Sequence, residues 1–166
     1  MLALGVDPGT ATTGYGLVQD LPDGSLSVVD YGAILTPAGM AMPERLLVLF
    51  EKLEQIILLH RPDGCAVEKL FFARNVTTAM TVGQARGVIL LALARHGLEI
   101  GEYTPLEVKQ AVVGYGGAEK KQVQQMVQIL LNLKSLPKPD DAADALAVAI
   151  CHLHSARLQR LVKEQN

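Results

Sequence analysis

Four acidic positions spread over the chain are the residues whose types and spacing could support chemistry. Asp7 ends the apolar run 2–6, and Glu68 ends the shorter apolar run "CAV"; the stretch "PDDAADALA" at 139–147 supplies further acids. Carboxylates gathered in one place repel each other and are poorly solvated, so they need a compensating charge. Hard oxygen ligands suit Mg²⁺ or Mn²⁺. If the fold brings them together, these acids predict a divalent-metal site.

Helical spacing within 139–147 leaves two acid pairs open. Asp141 and Asp144 are three residues apart, Asp140 and Asp144 are four apart, and either pair would share one helix face. The remaining acid would then be an N-cap, a role that fits Asp140 after Pro139. Each acid alone has an ordinary explanation as a turn residue, a solvent-facing strand end or a helix cap. Only their combination favours a metal site.

The order of predicted elements specifies where these acids should meet. Tight turns make the first three strands an antiparallel meander, and apolar residues at spacings of three and four then mark helices that alternate with two more strands. A helix between two strands makes a right-handed crossover, so those strands run parallel and their ends share one sheet edge. We therefore expect an α/β fold, a five-stranded mixed sheet with helices on both faces. The predicted strands are 2–7, 15–19, 26–35, 65–68 and 98–103; the helices are 43–60, 77–96, 105–113, 119–133 and 140–163.

Composition indicates one globular domain, 1–166, with 49% hydrophobic and 19% charged residues. No apolar run reaches the roughly 18 residues of a membrane span, and no signal peptide is evident. Cys65 and Cys151 in apolar surroundings predict reduced thiols in a cytoplasmic protein, a disulfide between them being the alternative.

A net charge of −2 is unusual for a nucleic-acid binder. However, the 17 acidic residues include the four of the candidate site, which leaves 13 against 15 basic residues.

Four longer motifs resemble the RuvC family, the bacterial Holliday-junction resolvases. They occur in order along the whole chain: "GVDPGTATTGYG", "AVEKLFFARN", "EVKQAVVGYGGAEKKQV" and "DDAADALAVAICHLH". The resemblance implies a ribonuclease-H-like fold and a homodimer that nicks two symmetric strands of a four-way DNA junction, leaving 5′-phosphate and 3′-hydroxyl ends. It also implies partnership with the branch-migration proteins RuvA and RuvB.

The same resemblance assigns the catalytic and metal-binding acids to Asp7, Glu68, Asp141 and Asp144, and leaves Asp140 as an extra acid. We then expect two Mg²⁺ ions, roughly 3.5–4 Å apart and replaceable by Mn²⁺, to clamp one phosphate. One ion would activate a water and the other would stabilise the leaving 3′ oxygen. No side-chain nucleophile is required, and the four histidines are expected to be structural or exposed.

Basic residues in the matching motifs are the candidates for DNA contact. Lys109 and Lys120 resemble the DNA-contacting lysines of the family, and Lys120 follows the glycine-rich "GYGGAE". A lysine in that place would also stabilise charge that develops on the transferring phosphoryl group, which makes it a catalytic candidate. Lys121 is the weaker candidate. A solvated lysine at a helix start is the ordinary alternative for Lys120.

Two adjacent aromatics, Phe71 and Phe72, follow Glu68 closely. Neighbours in an extended segment point to opposite sides, so one is expected in the core while the other stacks on an unpaired base. The resemblance favours Phe71 for the base contact, and Arg74 would meet a phosphate. The helix 77–96 is a candidate dimer interface because it is apolar and contains small residues, although a helix packed on the sheet would look identical.

Three other functions fit part of the sequence. The motif "GVDPGT" also resembles the first phosphate loop of the sugar-kinase and Hsp70-like ATPases, but those proteins normally use two such domains and this chain has one such loop. Another ribonuclease-H-like nuclease would act on RNA or on a simpler DNA structure. A non-catalytic junction-binding protein would be expected to lack one of the acids. Magnesium-dependent cleavage and the shape of the substrate distinguish these functions.

Overall fold

The computed structural model of the protein describes residues 1–69 and 76–164. Five strands and five helices occur in these ranges, in the predicted β-β-β-α-β-α-β-α order with the further break that divides the helices after the last strand. The strands are β1 Leu2–Asp7, β2 Thr12–Asp20, β3 Leu26–Leu35, β4 Gly64–Glu68 and β5 Ile100–Tyr103. The helices are α1 Met42–His60, α2 Val76–Arg95, α3 Pro105–Val113, α4 Lys120–Leu130 and α5 Asp140–Glu164.

The strands form one mixed sheet in the order β3-β2-β1-β4-β5. The first three strands pair antiparallel, whereas β1 pairs parallel with β4 and β4 pairs parallel with β5, as the crossover argument predicts. β2 begins three residues before its predicted start. Gly14, which lies just outside the predicted strand 15–19, is within the ladder and pairs with Asp7.

Helices cover both faces of this sheet, and the sheet divides the hydrophobic core into two halves. Because successive strand residues point to opposite faces, Leu4 and Val6 of β1 pack against α1 and α2, whereas Ala3 packs with α3, α4 and α5. All three side chains are fully buried. By the same alternation, Asp7 points to the face that α5 covers.

Three glycines of β1 and β2 allow α5 to lie directly on the sheet. A methyl group on Gly5 would lie 2.1 Å from the carbonyl oxygen of Ala145, and one on Gly14 would lie 1.9 Å from that of Asp141. A methyl group on Gly16 would lie 2.8 Å from the side chain of Leu146 on the same helix. Such distances are far inside van der Waals contact, so any side chain would force α5 away. The glycines of the opening motif therefore determine how closely α5 approaches the end of β1.

Helix starts agree with the sequence prediction at α3 and differ at α5. The Glu107 N–H donates to Thr104 Oγ1 at 3.2 Å, and the Thr104 N–H donates to the Glu107 carboxylate at 2.7 Å, so the two residues form a capping box at the start of the helix. At α5 the Ala143 N–H donates to the carbonyl oxygen of Pro139. Pro139 therefore occupies the N-cap position, and the prediction that Asp140 is the N-cap is wrong: Asp140 is the first helical residue.

The two cysteines are free and buried in different halves of the core. Cys65 lies on the face covered by α1 and α2, and Cys151 lies in α5 on the other face, so the alternative of a disulfide between them is excluded. Burial raises the pKa of the Cys65 thiol to about 12 and that of Cys151 to about 11, so both stay protonated. None of the helices in the described residues has the length and apolar character needed to cross a membrane.

Candidate active site

Two of the predicted acids end neighbouring parallel strands. β1 and β4 are in register from Ala3 and Gly64 to Val6 and Val67, so the next residues, Asp7 and Glu68, lie side by side at one sheet edge. Ala3 and Ala66 lie on the face covered by α5, and Asp7 and Glu68 follow them by four and two positions. Because side chains alternate along a strand, both acids point to that same face. The parallel pairing of β1 and β4 therefore brings these two carboxylates together.

The other two acids reach this edge through the first turn of α5. Gly14 pairs with Asp7 across β1 and β2, and the backbone of Asp141 lies directly against Gly14. Asp144 follows one turn later and is partly buried. The close approach of α5 to the glycine surface therefore places both aspartates above the end of β1.

Electrostatic coupling shows that the four carboxylates share one environment. The pKa of Asp7 is raised from 3.8 to about 8, first by burial and then by the negative charges of Glu68, Asp144 and Asp141. Burial likewise raises the pKa values of Glu68 and Asp144, and Asp144 adds to the rise at Glu68. A carboxyl group that still holds its proton near neutral pH lacks enough positive charge around it.

Lys120 supplies part of the missing positive charge. Its ammonium group donates a hydrogen bond to the Asp144 carboxylate at 2.8 Å and lies 3.6 Å from the carboxylate of Asp140. The hydrogen bond raises the pKa of Lys120, while its charge opposes the rise at Asp7. The extra acid Asp140 is thus a neighbour of Lys120.

The positive charge of Lys109, on α3, opposes the rise in the pKa of Glu68, as does that of Lys120. Both lysines line a cleft of about 260 Å³ beside the acids, and the floor of this cleft is apolar. The lining residues are Glu68, Pro105, Val108, Lys109, Lys120, Val123, Asp144 and Ala147. The structure therefore brings both predicted DNA-contacting lysines next to the acidic cluster.

The donor set fits hard divalent cations. Four carboxylates, three of them with raised pKa values, supply only oxygen ligands and lack compensating charge, which are the conditions that favour Mg²⁺ or Mn²⁺. Within residues 1–69 and 76–164, no group of three or more acidic, histidine or cysteine side chains is arranged closely enough to hold a metal ion as it stands. Asp144 is engaged by Lys120 instead.

Several predicted residues lie outside the described residues or away from the cluster. Phe71, Phe72 and Arg74 fall in the segment 70–75, which is outside the described residues, so their predicted DNA contacts stay predictions. Lys121 is exposed. Each histidine has a partner elsewhere, as expected for structural roles: Asp30 for His60, Glu54 for His96, Tyr103 for His152 and the Ala111 carbonyl for His154.

One supporting contact of the site was not foreseen from the sequence. Arg86 of α2 donates from Nε to the backbone carbonyl of Glu68 at 3.4 Å, and its guanidinium pairs with Glu102 at the end of β5. This arginine approaches Glu68 from the face of the sheet opposite to α5. A single arginine within an apolar helix gives no signal of such a contact, because the partner is a backbone atom of another element.

The candidate dimer helix packs on the sheet and also presents an uncovered side. Ala85, Ile89, Ala92 and Leu93 of α2 are fully buried against the sheet and α1. On the other side Met80 and Leu91 are 65% and 61% exposed, and Gly83 and Gly87, at helical spacing between them, have open space in front of them. The helix therefore packs in the core on one side and carries an exposed apolar surface on the other, with the two glycines at the middle of that surface.

Known proteins match this chain over almost its full length. The family model for crossover junction endodeoxyribonuclease RuvC matches residues 3–152. A relative from Chloroflexus aurantiacus, named crossover junction endodeoxyribonuclease RuvC, is 61% identical over 161 residues, which is 96% of this chain and 98% of the relative. The family match spans Asp7, Glu68, Lys120, Asp141 and Asp144.

Solved structures agree with the sequence relationship. The structure of Thermus thermophilus RuvC is 34% identical and superposes with a TM-score of 0.89 over 96% of this chain and 97% of its own. The T. thermophilus RuvC in complex with Holliday junction substrate is 32% identical, with a TM-score of 0.87 over 95% and 96%. These superpositions confirm the expected ribonuclease-H-like architecture. Together with the acidic cluster at the ends of β1 and β4, they show that the chain belongs to the RuvC family.

Proposed function

We propose that the protein is a structure-specific endonuclease that resolves four-way DNA junctions by nicking two symmetric strands. The observation that carries this proposal is the convergence of Asp7, Glu68, Asp141 and Asp144 from three distant segments at one sheet edge, with the pKa of Asp7 raised to about 8. A T. thermophilus relative of nearly equal length has been solved with Holliday junction substrate, which supports junction DNA as the substrate. We expect 5′-phosphate and 3′-hydroxyl products.

The four acids would hold two Mg²⁺ ions, with Mn²⁺ able to replace them. When bound, such ions lower the pKa of a water molecule and stabilise negative charge on the phosphate and the leaving oxygen. The protein contributes the positions of the ligands. Asp7 and Glu68 are fixed by the sheet register, and Asp141 and Asp144 are fixed by the contact of α5 with Gly14.

Lys120 and Lys109 would hold the DNA backbone beside these ligands. Lys120 is half exposed at the edge of the acidic cluster, where its ammonium group can move from Asp144 to a phosphate oxygen. There it would stabilise the charge that develops on the phosphoryl group. Lys109 lines the same cleft from α3 and would contact a second phosphate. In the segment 70–75, Phe71 would stack on a base and Arg74 would bind a phosphate.

Symmetric nicking calls for two sites related by a twofold axis, and we infer that the protein acts as a homodimer. The outer side of α2, with Met80, Leu91 and the open glycines Gly83 and Gly87, supports this helix as the interface. Family membership supports RuvA and RuvB as further partners and the cytoplasm, where chromosomal DNA is processed, as the location.

The decisive experiment compares four substrates in Mg²⁺: a synthetic four-way junction, a flap, a linear duplex and an RNA–DNA hybrid. We expect paired, symmetric cuts in the junction only. Asp7→Asn should still bind the junction in a gel-shift assay but should not cut it. Cleavage of the hybrid or the flap in preference to the junction would show a different ribonuclease-H-like nuclease. Junction binding without cleavage by the wild-type protein would indicate a non-catalytic binder.

A further inference from the structure

The connection between β1 and β2, which starts directly after Asp7, is held in place through its carbonyl groups. It consists of Pro8 followed by small residues, so no large side chain anchors it in the core. Three successive carbonyl groups instead accept hydrogen bonds from two buried threonines. The bonds are Thr13 Oγ1 to Gly9 O at 2.6 Å, Thr36 Oγ1 to Thr10 O, and Thr36 N to Ala11 O at 3.0 Å.

Thr36, which follows β3, makes two of these three bonds, and Arg45 of α1 fixes the orientation of its hydroxyl group. The Thr36 side chain is almost fully buried. Arg45 Nε donates to Thr36 Oγ1 at 2.9 Å, and its Nη2 donates to the Thr36 carbonyl at 3.4 Å. A guanidinium group can only donate, so the single hydroxyl proton of Thr36 must point to the Thr10 carbonyl. Arg45 thereby completes a chain of donors that ends on the loop after Asp7.

This chain of hydrogen bonds acts against a force that the site itself creates. Asp7 is repelled by Glu68, Asp144 and Asp141, and burial adds a desolvation cost to its charge. The end of β1 could relieve that cost by moving outward if the following loop were free to move. Arg45 reaches the loop after Asp7 through the Thr36 hydroxyl, which donates to the Thr10 carbonyl.

We propose that Arg45 and Thr36 are positioning residues that hold Asp7 at the sheet edge in the geometry needed to bind metal. The inference rests on the proposed role of Asp7 as a metal ligand. Neither residue belongs to the acidic cluster: Thr36 follows β3 and Arg45 lies in α1, whereas α5 covers the other face of the sheet. Hydrogen-bonded supports of ligands typically contribute 10–100-fold to metal affinity or activity.

The test uses two variants that interrupt the chain and one that preserves it. Thr36→Val keeps the shape of the side chain but removes the hydroxyl, Arg45→Met keeps the stem but removes the donors, and Thr36→Ser retains the hydroxyl. Lys52→Met is the matched control, because Lys52 is an exposed cation on the same helix whose only hydrogen bond among the described residues is to Gln55, at 3.5 Å. Mn²⁺ affinity is measured by calorimetry on DNA-free protein, and junction cleavage in single turnover.

We expect Thr36→Val and Arg45→Met each to weaken Mn²⁺ binding and to slow cleavage by roughly 10-fold or more, while the dissociation constant for the junction in EDTA changes little. Thr36→Ser and Lys52→Met should resemble the wild type. Because both residues act in one chain of hydrogen bonds, the double variant Arg45→Met/Thr36→Val should lose no more Mn²⁺ affinity than the more impaired of the two single variants.

Three results would overturn the inference. Wild-type Mn²⁺ affinity in folded Thr36→Val would show that Asp7 needs no such support. Additive losses of affinity in the double variant would show that the two residues act separately. An equal loss of affinity in Lys52→Met would assign the effect to net charge. If one interrupting variant fails to fold, the other decides, and if both fail, Arg45→Ala decides, since it removes the donors and leaves no polar group: wild-type Mn²⁺ affinity in the folded variant also refutes the proposal. The Mn²⁺ measurement stands even if the wild type does not cut junctions, so the two proposals can fail independently.

Discussion

The unfavourable charge of Asp7 should make the metal-free protein less stable as the pH rises, and Asp7→Asn should remove this effect. The pKa of Asp7 is 3.8 in the unfolded reference and about 8 in the fold. Between these values the folded state holds a proton that the unfolded state has lost, so the free energy of unfolding falls with rising pH. The slope from this one group is about 1.4 kcal/mol per pH unit, or about 2.7 kcal/mol between pH 5 and pH 7.

The assay is urea unfolding in EDTA at several pH values, followed by circular dichroism. Other groups titrate in both proteins, so the difference between Asp7→Asn and the wild type isolates this contribution: the variant should gain relative stability steadily from pH 5 to pH 7. Glu51→Gln, which removes an exposed acid from α1, should show a constant difference. Added Mg²⁺ should stabilise the wild type more than the variant, because it binds the ionised carboxylates of the folded state. A difference for Asp7→Asn that does not change with pH would refute the electrostatic description of the site.

Two further substitutions test how the site is assembled. Lys120→Ala should slow junction cleavage more than it weakens junction binding, since the ammonium group lies among the carboxylates. Lys121→Ala, which changes an exposed lysine, should affect neither strongly. Equal losses of cleavage and binding in Lys120→Ala would make Lys120 a simple phosphate contact. Gly14→Ala should lower the free energy of unfolding by about 1–3 kcal/mol or more and abolish cleavage, because its methyl group would meet the Asp141 carbonyl. Gly39→Ala, which has open space, is the control in thermal unfolding, and a Gly14→Ala protein as stable and active as Gly39→Ala would contradict the close approach of α5.

The elements and the meeting of Asp7 with Glu68 could be predicted from the sequence because both depend on local signals. Apolar periodicity and turn residues locate the strands and helices, and a helical crossover then makes β1 and β4 parallel neighbours. Once two strands are parallel neighbours, acids at their ends must share an edge. No detail of side-chain packing enters that argument, which is why it succeeded.

The choice among the acids of α5 could not be derived from spacing, because it depends on a contact between distant residues. Asp140, Asp141 and Asp144 all lie in the first turns of one helix. Which of them faces Asp7 is determined by where the α5 backbone rests on Gly14, about 130 residues earlier in the chain. The family resemblance favours Asp141 and Asp144, a choice that spacing left open. The reach of Lys120 to Asp144 was hidden for the same reason, since it requires α4 to pack against α5.

Supporting residues are harder still to identify, because their partners are backbone atoms. Thr36 binds the carbonyl of Thr10, and Arg86 donates to that of Glu68. Every residue has a carbonyl group, so the sequence contains no complementary side chain that would single out either pair. A buried threonine just after an edge strand is also common enough to pass unnoticed. Such residues become visible only when the loop or strand end that they hold is seen in three dimensions.

The packing of α5 on the sheet offsets the free-energy cost of bringing the carboxylates together. Bringing four carboxylates together costs a few kcal/mol in the metal-free protein, as the pKa of Asp7 shows. That cost must be outweighed by contacts that separation of α5 from the sheet would lose. Leu146 and Ile150 of α5 are fully buried, and burial of such a side chain contributes about 1.5–3 kcal/mol. The apolar contacts between α5 and the sheet are therefore strong enough to hold the acids together before any cation binds, which makes α5 the element whose displacement should disable the site first.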